Sequence, residues 1–157
     1  ADIVLDSPLE GEAVDLSAVP DPIFAGAKLG PGMAVQPTGN TVYAPADGKV
    51  LTVQKSGHAV GLSLDNGVQL LIHVGLDTVE LGGEGFDVHV EKKQRISAGD
   101  KLISFDPEFI RSKGYNLITP VVVTNATKFG AVSGEAGQVT PNDALLRIPP
   151  KPEEAAE

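Results

Sequence analysis

The stretch "GHAVGLSLDNGVQLLIHVG", residues 57–75, places two apolar runs on either side of an Asn66-Gly67 pair. Asn-Gly between alternating apolar residues is the strongest short-range signal for a β-hairpin closed by a two-residue turn. Such a turn pairs Val60 of the first strand with His73 of the second. The stretch therefore predicts two antiparallel strands that follow each other directly in the chain.

This pairing places two of the three histidines on one face of the hairpin. Directly opposed residues share a face, as do alternate residues along a strand. His58 and His73 are then diagonal neighbours, about 7–8 Å apart at the backbone. Ser56 shares this face if the strand extends to it, and its hydroxyl is then in reach of an imidazole. The prediction depends on register, because a three-residue loop would send the histidines to opposite faces. The other face has the composition of a protein core, with Val68, Leu70, Ile72 and Val74.

The histidine face is also apolar in this register, because it carries Val60, Leu62 and Leu71. Removal from water disfavours a charged imidazolium and keeps a ring nitrogen available. Three interpretations remain open from geometry alone. The histidines are structural and bonded to backbone; or they bind zinc, which needs a further ligand such as Asp77; or they act as a nucleophilic or acid–base pair.

The rest of the chain also predicts short strands. It contains 18 glycines and 12 prolines and has few long helical patterns, which is typical of many strands joined by tight turns. One helical turn or two is predicted at 107–113, with Asp106 as its cap, and a second short turn at 17–24. The sequence thus predicts an all-β fold. The strands are predicted at 12–16, 33–36, 49–54, 59–64, 68–74, 101–105, 121–124 and 145–148.

Length and composition limit the organisation and the function. The 157 residues fit one domain, with an N-terminal arm at 1–6, a folded unit at 7–148 and a disordered tail or linker at 149–157. The absence of cysteine excludes disulfides, thiolate metal sites and a cysteine nucleophile. No apolar run reaches the length of about 18 residues that a membrane helix needs. A net charge of −9 argues against nucleic-acid binding and favours basic protein partners.

One motif in the opening stretch is specific to a family. The segment "GVQLLIHVGLDTV" (67–79) resembles, at every position, the signature of the glucose-type enzyme IIA family of the bacterial phosphoenolpyruvate:sugar phosphotransferase system. The resemblance covers nearly the whole folded unit, and its segments follow in family order. The further matching segments are "VPDPIFA" (19–25), "GPGMAVQPTGNTVYAPADGKV" (30–50), "HAVGL" (58–62), "LDTVELGGEGF" (76–86) and "TPVVVTN" (119–125).

The resemblance implies an antiparallel β-sandwich or barrel-like pair of sheets, with the active site in a shallow apolar depression. His73 matches the histidine that is phosphorylated at Nε2, and His58 matches the second histidine, which supports the phosphorylated ring. Ser56 stands where relatives usually have a threonine that orients a histidine, and it keeps the hydroxyl. Lys93 replaces a glycine found in many relatives, which puts the local turn in question. No motif involves His89, which is predicted to lie on the surface.

An apolar rim and two acidic residues are expected to form the docking surface around this histidine pair. The rim would exclude water and slow hydrolysis of a phosphohistidine. The carboxylates would meet arginines of partner proteins. The predicted docking residues are Ile23, Phe24, Val60 and Val79 for the rim, with Asp21 and Asp77 as the acids.

The family also implies partners and a location. HPr would donate the phosphoryl group, and a cysteine of a IIB domain or IIBC sugar permease would accept it. Regulated permeases or glycerol kinase are further partners on the same face. No cofactor is required, although zinc held by His58 and His73 is an option at a regulatory interface. The domain is expected in the cytoplasm, with contact to the membrane only through the permease. The sequence does not identify the sugar.

Three alternatives belong to other functional classes. A zinc peptidase of the lysostaphin-like kind needs His-x-His and His-x-x-x-Asp spacings, which Gly75 and Leu62 break. A biotinyl or lipoyl carrier domain needs a lysine at a hairpin tip, and the clearest tip, at 65–67, has none. A purely regulatory binding module would use the same apolar histidine face without carrying phosphate.

Overall fold

The computed structural model describes residues 2–152, and antiparallel strands are its main regular secondary structure. Thirteen strands and two short α-helices, α1 (Pro22–Ala25) and α2 (Pro107–Ser112), follow in chain order. The strands are β1 (Ile3–Asp6), β2 (Gly11–Asp15), β3 (Gly32–Pro37), β4 (Thr41–Tyr43), β5 (Gly48–Val53), β6 (Ala59–Leu64), β7 (Gln69–His73), β8 (Phe86–Val88), β9 (Arg95–Ile96), β10 (Lys101–Phe105), β11 (Thr119–Val123), β12 (Gly137–Val139) and β13 (Ala144–Ile148).

Three sheets divide these strands. The largest has eight strands in the order β12-β2-β3-β11-β7-β6-β5-β9; the others are β4-β10-β8 and β1-β13. All of the pairings are antiparallel. The all-β, antiparallel fold class predicted from the sequence is therefore confirmed, and so is the presence of only short helices.

The eight-stranded sheet has an apolar cluster on each face. The larger cluster is the main core, to which the central strands contribute Leu62, Leu70, Ile72 and Val121. The smaller cluster lies on the other face, under a 3₁₀ turn at Leu16–Ala18 and helix α1. Its buried members are Leu16, Val19, Phe24, Ala34, Leu76, Ile118 and Val122.

Local signals predicted several elements well. The strands β6 and β10 have the predicted bounds, and α2 begins after Asp106, whose carboxylate accepts the Phe109 amide at 3.1 Å. Pro107 takes the first turn of α2, and Gly114 follows its end with φ of 91°. These bounds could be predicted because capping residues and tight turns determine where an element ends, and their effect depends only on residues a few positions away.

The hairpin at 57–75 forms, but its predicted two-residue loop is wrong. Leu64 pairs with Val68, because the Leu64 amide donates to the Val68 carbonyl at 2.9 Å, and the register aligns Val60 with Ile72. The loop therefore has three residues, 65–67. A type I′ turn needs positive φ at both central residues, whereas Gly67 has φ of 97° and Asn66 is not among the described residues with positive φ.

The N-terminal end differs from its predicted role, and the predicted C-terminal tail is described only in part. Residues 3–6 of the expected arm form β1, which pairs with β13 and buries Leu5. The arm is thus part of the folded unit, because an apolar strand completes a sheet at this point. At the other end, Pro149 accepts a hydrogen bond from the Gly130 amide at 2.8 Å. The remainder of the predicted tail, 153–157, lies outside the described residues.

The turn that carries Lys93 forms despite the missing glycine. Lys93 adopts a left-handed backbone with φ of 75°, and its amide donates to the Val50 carbonyl at 2.8 Å. A side chain in this conformation costs about 1 kcal/mol, which the surrounding turn has to offset.

Candidate active site

His58 and His73 meet at one end of the β6–β7 hairpin. Their ring centroids lie 4.9 Å apart, with the ring planes at 76°. His73 is the last residue of β7, and it is opposite Ala59. His58 comes just before β6, where the chain bends after Gly57, so the alternation of faces does not extend to it. The histidines are therefore together although the register that predicted this was wrong.

One ring nitrogen of His73 is committed to a backbone hydrogen bond. Its Nδ1 lies 2.7 Å from the carbonyl oxygen of Gly75. A carbonyl oxygen only accepts, so Nδ1 carries the ring proton and donates it. In a neutral imidazole, the other nitrogen then has the free lone pair. The nucleophilic atom of His73 is therefore Nε2.

His58 is held by Ser56, as the sequence predicts for these two residues. The Ser56 hydroxyl lies 2.7 Å from Nδ1 of His58, which is itself 4% exposed. When this hydroxyl donates to Nδ1, the ring proton sits on Nε2, and His58 becomes a hydrogen-bond donor at that atom. The pair then combines one nucleophilic nitrogen with one neutral donor.

Burial keeps both imidazoles uncharged. It lowers the pKa of His73 below the ordinary value of 6.5, although the Gly75 hydrogen bond and the charges of Asp21 and Asp77 act in the opposite direction. Burial and the neighbouring His73 together lower the pKa of His58 to about 4. Neutral rings at neutral pH are the form that attacks an electrophile with a lone pair.

Helix α1 places apolar side chains beside the pair. The Phe24 ring is buried and its centroid is 5.2 Å from that of His73. The neighbouring Ile23 points outward and is 48% exposed, and Val79 is 54% exposed. Asp21 caps α1 by accepting the Ile23 amide at 2.9 Å. The site is thus a histidine pair with Phe24 against one ring and with the carboxylates of Asp21 and Asp77 close enough to affect the pKa of His73.

Val60 does not belong to this surface, although the sequence analysis placed it there. It is 1% exposed and packs in the main core, opposite Ile72. Leu62 is also in the main core, and it is fully buried. The three-residue loop is the reason, because a slip of one residue exchanges the two faces of a strand.

The other titratable groups do not extend the site. Among residues 2–152, no group of three or more His, Cys, Asp or Glu side chains could hold a metal ion. The two histidines alone fall short of the ligand number that zinc needs. His89 is exposed, with its Nε2 2.8 Å from the Ser104 hydroxyl.

Sequence comparison decides the family. Residues 3–129 match the model of a family described as phosphoenolpyruvate-dependent sugar phosphotransferase system, EIIA 1. The chain belongs to this family. It is accordingly an EIIA domain of the sugar phosphotransferase system.

Individual relatives agree with the assignment. The EIIA domain is 65% identical over 147 residues to the "PTS system glucose-specific EIIBCA component" of Corynebacterium glutamicum, covering 93% of this chain and 22% of the relative. It is 45% identical over 131 residues to the "PTS system glucose-specific EIIA component" of Bacillus cereus, covering 83% and 79%. The glucose permease IIA of Mycoplasma capricolum has the same fold, with a TM-score of 0.85 and 32% identity over 94% of this chain and 96% of that one.

The EIIA domain is one part of what some relatives contain. It spans 22% and 21% of the length of two Corynebacterium glutamicum EIIBCA components. Within residues 2–152, no helix has the length and hydrophobicity needed to cross a membrane.

Two groups beside the histidines are absent from the sequence prediction. Thr78 is fully buried, and its hydroxyl donates to the Val74 carbonyl at 2.6 Å. The backbone carbonyl of Asn116 accepts the Leu76 amide at 2.9 Å, so that amide is not free to bind phosphate. Thr78 lies within the signature segment 67–79, whereas no local pattern identifies the Asn116 carbonyl.

Proposed function

We propose that the EIIA domain receives a phosphoryl group from phospho-HPr on Nε2 of His73 and passes it to a cysteine of a IIB domain or IIBC permease. The observation that carries this proposal is the hydrogen bond from His73 Nδ1 to the Gly75 carbonyl, at 2.7 Å. It leaves Nε2 unprotonated on a ring that burial keeps neutral.

The transfer is an in-line displacement. The Nε2 lone pair of His73 forms a bond to phosphorus as the bond from phosphorus to the histidine nitrogen of HPr breaks. The His73 ring becomes cationic, and the Gly75 carbonyl and the carboxylates of Asp21 and Asp77 stabilise that charge. In the second step, the P–Nε2 bond breaks and a P–S bond forms on the acceptor. Positioning and charge stabilisation account for most of such catalysis.

His58 supports the phosphorylated ring in this scheme. Its ring lies edge-on to His73 at 4.9 Å between centroids, and Ser56 holds its Nδ1. An N–H at His58 Nε2 donates to a phosphoryl oxygen and neutralises part of its charge. Because the pKa of His58 is lowered to about 4, this donor is neutral. Its one lone pair, on Nδ1, accepts the Ser56 hydroxyl and is therefore not available to attack the phosphoryl group.

Docking uses the exposed side chains next to the site. Ile23 and Val79 are about half exposed, and Phe24 closes one side of the His73 ring. Asp21 and Asp77 are close enough to influence the pKa of His73, and they would meet basic groups of HPr or IIB. Opposite charges on the two partners would speed their encounter.

Phosphoryl uptake tests this function. The domain is incubated with phosphoenolpyruvate, enzyme I and HPr, and its intact mass is measured. We expect one acid-labile phosphoryl group on the unmodified protein and on His89→Gln, whose histidine is exposed and distant in the chain from the site. His73→Gln should take up none, and uptake by that variant would overturn the carrier proposal.

A second variant separates the roles of the two histidines. His58→Gln should accept the phosphoryl group but transfer it poorly to a IIB domain, because the donor to the phosphoryl oxygens is altered. Onward transfer at the normal rate by His58→Gln would remove the supporting role of His58.

Regulatory partners and location complete the proposal. Permeases or glycerol kinase would dock on the same exposed residues. Zinc would bind there only with a carboxylate from the partner, since the domain offers two histidines and no third ligand within residues 2–152. A chelator should therefore weaken such a complex without affecting phosphorylation of His73. The proposed location is the cytoplasm, with membrane contact through the permease alone.

A further inference from the structure

The backbone between β7 and the 3₁₀ turn at Thr78–Leu81 is held in an unusual conformation. Gly75 has φ of 79° and Asp77 has φ of 60°, so two left-handed residues lie within three positions. Asp77 is not a glycine, and a left-handed conformation is strained for a residue with a side chain. A segment of this kind keeps one shape only when surrounding contacts determine it. The same segment supplies the carbonyl that binds His73.

The direction of the Gly75 carbonyl is set by the Leu76 amide, which belongs to the same peptide unit. The Gly75 carbonyl and the Leu76 amide belong to one planar trans peptide, so they point in opposite directions. The Leu76 amide donates to the Asn116 carbonyl at 2.9 Å. With the amide anchored there, the Gly75 oxygen points towards His73 Nδ1, at 2.7 Å.

The preceding peptide unit is held by Thr78. The Thr78 hydroxyl donates to the Val74 carbonyl at 2.6 Å, and Thr78 is fully buried. Its methyl group, Cγ2, packs against Gly75, where an added Cβ would lie 2.6 Å from it. Thr78 therefore restrains the segment through both branches of its side chain. Without the hydroxyl, the buried Val74 carbonyl would lose this donor and the peptide would be free to rotate.

We propose that Thr78 is a positioning residue that fixes the tautomer of His73. By holding the Val74 and Gly75 peptides, it keeps the Gly75 carbonyl on Nδ1 and so keeps the proton away from Nε2. This role rests on the proposed function of His73, which it deepens, but it concerns the unphosphorylated ring and can be observed without any partner.

The test reads the tautomer directly. Protein labelled with ¹⁵N-histidine is studied by long-range ¹H–¹⁵N correlation NMR at neutral pH. The unmodified domain and Thr78→Ser, which keeps the hydroxyl, should show His73 with its proton on Nδ1 alone. Thr78→Val keeps the shape and loses the hydroxyl, so it should show both tautomers. Its rate of phosphoryl uptake from phospho-HPr should fall by about threefold or more, in proportion to the lost Nδ1–H fraction.

Two further variants keep the test decisive. Ser7→Ala removes a buried hydroxyl that bonds the Leu9 carbonyl at 2.6 Å, in the turn after β1. It should leave the His73 tautomer unchanged, and a change there would mean that general destabilisation explains the effect. If Thr78→Val does not fold, Thr78→Ala takes its place, because it also removes the hydroxyl that donates to the Val74 carbonyl.

The outcomes separate the two proposals. A single Nδ1–H tautomer and a normal rate in Thr78→Val, or in Thr78→Ala if that variant replaces it, would overturn the positioning role even if the melting temperature falls. Phosphoryl uptake by His73→Gln would overturn the proposed function, yet it would leave the tautomer result for Thr78 as measured.

Discussion

At the scale of single residues, the chemistry depends on which nitrogen of each imidazole holds a proton. His73 donates from Nδ1 to Gly75, and His58 contacts Ser56 through its own Nδ1. Both rings are hydrogen-bonded at the same atom, and their Nε2 atoms remain for the phosphoryl group. Burial alone would give two neutral histidines with undefined tautomers. The Gly75 carbonyl, an acceptor, and the Ser56 hydroxyl, a donor, give the two rings opposite tautomers.

Acid should destabilise the fold partly through His58. An unfolded histidine has a pKa near 6.5, whereas the folded pKa of His58 is about 4. Below 6.5 the unfolded chain binds the proton and the folded chain does not, so the free energy of unfolding falls as the pH decreases from about 6.5 to about 4. Urea unfolding should show a smaller loss over this window in His58→Gln. An equal loss in both proteins would contradict the lowered pKa.

The residues of the candidate site could be proposed from sequence, but their geometry could not. The signature around His73 and the hydroxyl at Ser56 depend on residue types, which the sequence contains. The meeting of His58 and His73 depends on a bend before β6, and the tautomer of His73 depends on the distant Asn116 carbonyl. Neither feature follows from local alternation.

At the scale of elements, the β6–β7 hairpin shows the limit of turn signals. Asn66-Gly67 predicts a hairpin, which forms, but tertiary contacts select the three-residue loop. Asn125 donates to the Gly67 carbonyl at 2.9 Å and accepts the Gln69 amide at 2.9 Å. Asn125 follows the end of β11, about sixty positions further along the chain, so a short sequence window around the turn does not contain these two hydrogen bonds. The one-residue difference is what moved Val60 from the predicted surface to the core.

Two neighbouring residues of helix α1 are proposed to have different roles, one covering His73 and the other docking partner proteins. Phe24 is 6% exposed and covers His73, whereas Ile23 is 48% exposed. Phe24→Ala should lower the free energy of unfolding by about 3 kcal/mol and shorten the lifetime of the phosphohistidine, because water reaches the ring. Ile23→Ala should change stability by less than about 0.5 kcal/mol and slow transfer from phospho-HPr.

Urea unfolding, acid-labile phosphate decay and transfer kinetics measure these effects separately. An unchanged transfer rate in Ile23→Ala would contradict the docking role of Ile23. An unchanged phosphohistidine lifetime in Phe24→Ala would contradict the role of Phe24 as a cover over His73.

At the scale of the whole molecule, the first and last strands close the fold. β1 pairs with β13 over four residue pairs, and Asp2 forms an ion pair with Arg147 at 3.4 Å. A strand of four residues next to a chain end has too few positions to show periodicity, so the sequence suggested an arm instead. The very short strands β4, β8, β9 and β12 were not predicted for the same reason, whereas longer strands with apolar alternation were.

The contribution of β1 can be measured with two neighbouring residues. Leu5 is 2% exposed and packs in the main core, and Val4 is 44% exposed. Leu5→Ala should lower the free energy of unfolding by about 3 kcal/mol, because it leaves a cavity. Val4→Ala should cost less than about 0.5 kcal/mol. Thermal unfolding of the two variants tests this, and equal small effects would mean that β1 is an arm after all.

The central claim is that the phosphoryl group bonds to Nε2 of His73. Its most direct measurement is ³¹P and long-range ¹H–¹⁵N NMR of ¹⁵N-histidine-labelled domain after phosphorylation by phosphoenolpyruvate, enzyme I and HPr. We predict one phosphorylated ring, His73, with phosphorus coupled to Nε2 and the proton retained on Nδ1. Phosphorus on Nδ1 of His73, or on His58 or His89, would contradict the account.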